Sequence, residues 1–144
     1  MRVAIINGVN LNLMGQRQPD LYGQLTYKQL VRQLQDYGKD RGWRLSFFQS
    51  NSESKIIDFI QTSPKHYRGL LINAGAYTHT SIAIADALAG CGLPCVEVHI
   101  TDLSQRELFR QVSYLRTSCI ACFMGEGIIS YQKALDALAK EILP

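Results

Sequence analysis

Chemistry in this sequence is concentrated in Glu97 and His99, in Asn10, Arg17 and Tyr22, in Asn73 and His79, and in Arg106 and Arg110. Glu97 and His99 are two residues apart, so on a strand both side chains leave the same face. A carboxylate beside an imidazole fixes its tautomer and favours its protonated form, which suits a general acid. A structural ion pair at a sheet end fits the same two residues equally well. His79 precedes Thr80 and Ser81, either of which can cap a helix while leaving backbone N–H groups free. Its imidazole reads evenly as a ligand-binding donor or as a ring packed on a helix start. Arg106 and Arg110 lie four apart on an expected helical face, where they could reach an anionic or hydroxylated ligand or form surface salt bridges. Taken singly, Tyr22 reads as a half-buried loop anchor and Arg17 as a solvated surface charge.

The elements that must hold these residues follow from hydrophobic period. Apolar, β-branched runs at residues 3–6, 45–48, 70–72, 95–100 and 119–123 are the candidate strands. Between them, Leu30, Val31, Leu34 and Tyr37 repeat at helical spacing, as do Ile56, Ile57 and Ile60, then Ile82, Ala83 and Ala87, and finally Ala134, Leu135 and Leu138. Residues 107–111 add a short turn. Alternation of apolar strands with helices implies a parallel sheet covered on both faces, with right-handed crossovers. The expectation is an α/β, flavodoxin-like three-layer fold with five strands in the order 2-1-3-4-5, one domain over residues 1–144. Ligands of such sheets bind beyond the carboxyl ends of the strands, near the switch point between strands 1 and 3. The polar segments Asn7-Gly-Val-Asn10, Asn73-Ala-Gly75 through Ser81, and Glu97-Val-His99-Ile100-Thr101 fall there. The first connection, residues 8–23, is sixteen residues without an evident element, longer than most βα loops and of the kind that forms lids.

Several function classes are excluded. A chain of 144 residues that is 47% apolar buries a core but is too short for a (β/α)₈ barrel. A net charge of +3, scattered along the chain, does not point to nucleic acid. Neither a P-loop nor a G-x-G-x-x-G pattern follows strand 1. A response regulator would need acidic groups where Asn7 and Asn73 stand. The apolar stretch near the start is four residues, too short for a signal-peptide core, and no stretch approaches a membrane span of roughly 18 residues. The expected location is cytoplasmic, without a membrane partner. Cys119 and Cys122 fall in a run that reads as a buried strand, where residues three apart face opposite ways, and with Cys91 and Cys95 they read as buried reduced thiols rather than a metal site or disulfides.

Together the stretches Asn7-Gly-Val-Asn-Leu-Asn-Leu-Met-Gly15, Arg17-Gln-Pro-Asp-Leu-Tyr-Gly23, Phe48-Gln-Ser-Asn51, Asn73-Ala-Gly-Ala-Tyr-Thr-His-Thr-Ser81, Glu97-Val-His99, Arg106-Glu-Leu-Phe-Arg110 and Ser113-Tyr-Leu115 resemble the type II 3-dehydroquinate dehydratases, or type II dehydroquinases, over nearly the whole chain. The resemblance implies anti elimination of water from 3-dehydroquinate to give 3-dehydroshikimate through an enolate, with neither metal nor organic cofactor. It assigns Tyr22 as the base, Arg17 as the cation that lowers its pKa, Asn10 as the holder of an enolate-stabilising water, and His99, oriented by Glu97, as the acid for the departing hydroxyl. Asn73 and the backbone amides of Ile100 and Thr101 would take the substrate carboxylate, and His79 and Arg110 the ring hydroxyls. Asp86 matches a residue that the family contributes across a trimer contact towards the neighbouring site, in a homo-oligomer that is usually a dodecamer of four trimers.

Val9 stands where the family commonly has Pro, and Thr101 where Ser is usual. Ala85, Ser104, Gln105 and Val112 also replace family residues, in regions of subunit contact. The competing reading is a non-enzymatic flavodoxin-like small-molecule binding module. Joint presence of Asn10, Arg17, Tyr22, His79, His99 and Arg110 weighs against it. The reaction would serve either the shikimate pathway of aromatic amino acid biosynthesis or quinate catabolism.

Overall fold

A computed structural model describes residues 1–16 and 18–143, and only the backbone of Leu21 and Tyr22. Five strands, β1 (Arg2–Asn7), β2 (Arg44–Gln49), β3 (Gly69–Asn73), β4 (Cys95–His99) and β5 (Ala121–Met124), form one sheet in the order β2-β1-β3-β4-β5. Every pairing is parallel. The expected flavodoxin-like order is therefore the observed one. Helices α1 (Pro19–Tyr22), α2 (Tyr27–Lys39), α3 (Glu53–Thr62), α4 (Ile82–Cys91), α5 (Leu108–Gln111) and α6 (Ile128–Ile142) connect or follow the strands.

Alternation along the strands divides the core in two. Val3, Ile5, Leu71, Val96 and Val98 pack against Leu30 and Leu34 of α2 and Ala134, Leu135 and Leu138 of α6. Ala4, Ile6, Leu70, Ile72 and Cys95 meet Ile56 and Ile60 of α3 and Ile84 and Leu88 of α4 on the other face. Each fully buried Leu or Ile is worth about 1.5–3 kcal/mol, so a one-residue slip, which would turn these faces inside out, is strongly disfavoured. That register pairs Asn7 with Asn73 at the carboxyl ends of β1 and β3, and Ile72 with Glu97 on β3 and β4.

Local signals fix where the helices begin. The Thr26 hydroxyl accepts the Gln29 N–H while the Gln29 side chain accepts the Thr26 N–H, a reciprocal cap for α2. Of the two candidate caps before α4, Ser81 serves, accepting the Ile84 N–H at 3.0 Å.

Several expected boundaries are corrected. Strand β4 ends at His99, so Ile100 lies just beyond it. Strand β5 begins at Ala121, two residues after Cys119, and is half-buried rather than buried because it is the outer edge of the sheet. Of the four thiols, all free, only Cys95 is buried. The first connection is not featureless: it contains a 3₁₀ turn, Leu11–Leu13, and helix α1, with Leu11 and Met14 anchored in the core. Among the described residues no helix is long and apolar enough to cross a membrane.

Two glycines let β1 and β3 turn beside each other. A Cβ on Gly8 would lie 2.3 Å from the Ala74 carbonyl oxygen, and one on Gly75 (φ +62°) 2.6 Å from that of Val9. Gly75→Ala is expected to cost about 1–3 kcal/mol from the left-handed backbone alone, read as a lower urea midpoint. An unchanged midpoint would mean that this junction is not tightly packed.

Candidate active site

At the carboxyl ends of β1 and β3, strand alternation turns Asn7 and Asn73 towards α6. The Tyr131 hydroxyl donates to Asn7 Oδ1 at 2.7 Å and accepts from Asn73 Nδ2 at 2.9 Å. Asn73 Oδ1 accepts the Gly75 N–H at 3.1 Å. The chain leaving β1 is held from the other side: Asn10 sits in the left-handed region (φ 66°), and its N–H donates to Asn51 Oδ1 at 3.0 Å. Gln49 Nε2 donates to the same Asn51 oxygen and to the Gly8 carbonyl. The segments after β1, β2 and β3 thus brace one another.

On β4 the side chains of Glu97 and His99 leave the opposite face of the sheet from Tyr131. His99 Nε2 donates to Glu97 Oε1 at 2.6 Å. A carboxylate can only accept, so the proton is assigned to Nε2, and Nδ1 is the atom left to exchange protons with a ligand. Glu97 is fully buried. Burial alone would raise its pKa, but hydrogen bonds from His99, Arg116 (Nε to Oε2, 2.8 Å) and Ser113 (Oγ to Oε1, 2.7 Å) outweigh this and hold the carboxyl at about 2.

Opposite His99, His79 Nδ1 lies 2.7 Å from the Val112 carbonyl oxygen. That carbonyl must receive a proton, so Nδ1 carries it and Nε2 of the neutral ring is an acceptor. Burial lowers the pKa of His79, as do the nearby His99 and Arg110 charges, against the pull of the Val112 carbonyl. A ligand hydroxyl would donate to His79, the reverse of the donor role that is one of the two readings of this residue in the sequence. Arg106 and Arg110 do not share a helical face. Arg106 ends the 3₁₀ turn Leu103–Gln105 in extended backbone, and Arg110 belongs to α5. The Glu107 carboxylate lies between them, 3.5 Å from Arg106 Nε and 3.2 Å from Arg110 Nε.

These groups surround one cleft, open to solvent, at the carboxyl edge of the sheet. Asn10, Asn73, His79, His99, Ile100, Thr101 and Arg110 line it, as does Arg106, whose Nη1 donates to Thr101 Oγ1 at 3.3 Å. Glu97 stands behind His99. Asp86 is exposed on α4, away from the cleft lining. Arg17 and the Tyr22 side chain lie outside the described residues.

The profile of the family described as dehydroquinase class II matches residues 1–139. The chain belongs to the class II dehydroquinase family. It is 46% identical over 138 residues to a 3-dehydroquinate dehydratase of Prochlorococcus marinus strain MIT 9301, covering 96% of this chain and 94% of that protein. A catabolic 3-dehydroquinase 2 of Neosartorya fischeri is 44% identical over 141 residues, covering 98% and 94%. The crystal structure of a type II dehydroquinase from Butyrivibrio crossotus superposes with a TM-score of 0.94 at 40% identity, covering 96% of this chain and 97% of that one.

Three features of this dehydroquinase's cleft escaped the sequence reading. Ser113 and Arg116 complete the shell of Glu97, yet a serine and an arginine 16 and 19 residues downstream carry no local signal. The wall formed by Leu11, Met14 and Leu103 was concealed in apparent loops. Tyr131 did leave a trace, since it shares the core stripe of Ala134, Leu135 and Leu138 and is a buried aromatic with a polar tip. Glu97, His99 and Cys122 bring three metal-ligating types within 4.8 Å. The Glu97 oxygens are already engaged by protein donors, and burial, with the Glu97 charge, pushes the Cys122 thiol up to about 12. The cluster is therefore organised as a hydrogen-bonded carboxylate beside a protonated thiol.

The buried carboxylate sets an acid limit. A pKa lowered from 4.5 to about 2 gives stability that is complete above 4.5 and is lost as pH falls towards 2, about 3 kcal/mol in all. Urea midpoints measured from pH 6 to pH 2.5 should decline through this window in the wild type, and the decline should be shallower in Glu97→Gln. Parallel profiles would show that Glu97 is not the group responsible.

Proposed function

We infer that the protein is a type II 3-dehydroquinate dehydratase, a hydro-lyase that removes water from 3-dehydroquinate to give 3-dehydroshikimate. The observation that carries this reading is the fully buried, ionised Glu97 holding His99 at 2.6 Å on the wall of a cleft that sets amide, hydroxyl, imidazole and guanidinium groups beside an apolar wall of Leu11, Met14 and Leu103. Loss of water next to a ketone requires a base, a stabiliser for the enolate oxygen and an acid for the hydroxyl.

In the proposed sequence Tyr22 is the base. A phenol with an ordinary pKa of about 10 needs a nearby cation to react as phenolate near neutrality, and Arg17 is the candidate. Transfer of the C2 proton to Tyr22 leaves an enolate, stabilised by a water that Asn10 helps to hold. Collapse of the enolate forms the carbon–carbon double bond and breaks the carbon–oxygen bond. The hydroxyl departs as water with a proton from His99, and proton return from Tyr22 to His99 through solvent resets the site. Geometry consistent with the acid role is the Nε2–Glu97 bond, which leaves Nδ1 for the substrate. These groups are sufficient for the proposed route without a cofactor.

Asn73 and the amides of Ile100 and Thr101 are proposed to hold the carboxylate. His79 accepts from a ring hydroxyl, and Arg110 binds another. Asp86 is proposed to act across a subunit contact in a dodecamer built of trimers. Its exposure supports that reading, as does the accumulation of exposed Ile82 on α4, Leu108 and Phe109 on α5 and Val112 just after it. The proposed setting is a cytoplasmic one, with residues 1–144 as one functional domain. The reaction serves the shikimate pathway or quinate breakdown; the Neosartorya relative is itself named a catabolic enzyme.

Mixing the protein with 3-dehydroquinate should produce the ultraviolet absorbance of a conjugated enone. Tyr22→Phe and His99→Ala should each lose about 10²–10⁴ in rate while keeping the wild-type far-ultraviolet spectrum, and His99→Ala should still exchange the C2 proton with solvent. Wild-type rates in either variant would remove that residue from its role, and no absorbance from any of the proteins would overturn the activity. Sedimentation should give a species larger than a monomer; a monomer active at the same concentration would refute the part given to Asp86.

A further inference from the structure

The cleft has one wall whose chemistry is set from inside the core. Asn73 is 3% exposed and Tyr131 is fully buried. The Gly75 N–H can only donate, so the Asn73 atom 3.1 Å from it is the carbonyl oxygen, and Nδ2 faces Tyr131 at 2.9 Å. Tyr131 must accept that bond. Its single proton is then committed to Asn7 Oδ1 at 2.7 Å. The direction of the whole chain, from Asn73 through Tyr131 to Asn7, is therefore dictated by one backbone N–H at the β3 switch point. One hydrogen of the Asn73 Nδ2 group is used by Tyr131, which leaves the second uncommitted on a residue that lines the cleft.

We propose that Tyr131 is a positioning residue for substrate binding: by accepting from Asn73 Nδ2 it fixes, together with the Gly75 N–H on the amide oxygen, the place from which Asn73 donates to the carboxylate of the substrate. This inference rests on the reading of Asn73 as a carboxylate ligand given above. A phenylalanine in place of Tyr131 leaves Asn7 Oδ1 and Asn73 Nδ2 without that partner, so the Asn73 amide is held through its oxygen alone, by the Gly75 N–H, and its Nδ2 group loses its fixed position. Burial raises the Tyr131 phenol pKa, so the hydroxyl keeps its proton throughout the working range. Position 131 acts from behind the wall and touches no reacting atom.

The test is a cycle of Tyr131→Phe, Asn73→Ala and the double variant, each assayed for kcat and KM on 3-dehydroquinate. Loss of a donor to a charged ligand corresponds to a KM increase of about tenfold or more. Tyr131→Phe should raise KM to that extent with kcat within about twofold, and the double variant should be no worse than Asn73→Ala alone. A role confined to folding would lower the unfolding midpoint without splitting KM from kcat. If Asn73→Ala raises KM but Tyr131→Phe does not, or if the two effects multiply, the positioning role is overturned while the carboxylate reading stands. If Asn73→Ala leaves KM unchanged, the carboxylate reading fails and the inference with it. Should Tyr131→Phe not fold, Asn7→Leu removes the acceptor at the far end of the chain and is judged by the same KM criterion.

Discussion

An ionised carboxylate with no exposure to water is the most demanding group in this protein, and the chain from β4 to Arg116 is arranged around it. Burying Glu97 unpaired would cost several kcal/mol, and removing one partner from a buried charge pair commonly costs about 3–5 kcal/mol. The cost is met by three donors: His99 from the same strand, and Ser113 and Arg116 from the segment after α5. That segment must therefore return to β4, which also brings Arg106, Arg110 and Val112 to the cleft. The imidazole is fixed in orientation and tautomer by the same bond that helps to keep the carboxylate ionised.

The two faces of the sheet divide the work. Glu97 and His99 leave the face covered by α3 and α4, where the proton chemistry is proposed. Asn7 and Asn73 leave the face covered by α6, where Tyr131 holds them. Both sets reach a single cleft because the parallel strands end together, and because Gly8 and Gly75 let the two chain segments cross within van der Waals range. Substrate grip and proton transfer are thus supported by separate packing layers. That separation lets one set of side chains be satisfied without disturbing the other.

Charge in the cleft is graded rather than uniformly positive. Burial and the nearby Arg110 lower the pKa of His79, Glu107 tempers the two arginines, and the carboxylate of Glu97 lies behind the imidazole it orients. A polyhydroxylated anion thus meets donors and one acceptor in fixed places. Fixed dipoles of this kind need little rearrangement when charge develops on a ligand.

Hydrophobic period alone determined the five strands, their parallel arrangement and the location of the cleft, because a strand buried on both faces and an amphipathic helix each have a distinct spacing. It also paired Glu97 with His99, since two-residue spacing on a strand needs no tertiary information. Legibility stopped where partners are distant in sequence. Nothing local in Ser113, Arg116 or Tyr131 reveals that they complete Glu97 and Asn73, and the edge position that leaves β5 half-buried follows from sheet order rather than from its own residues. Acceptor or donor at His79 was likewise decided by a carbonyl 33 residues away. The sequence by itself determined which groups share a strand and which end of the sheet they occupy, because local geometry is periodic. The tertiary structure decided which groups are charged, which way each amide and imidazole faces, and what holds them there, because those properties depend on burial and on hydrogen-bond partners that only folding brings together.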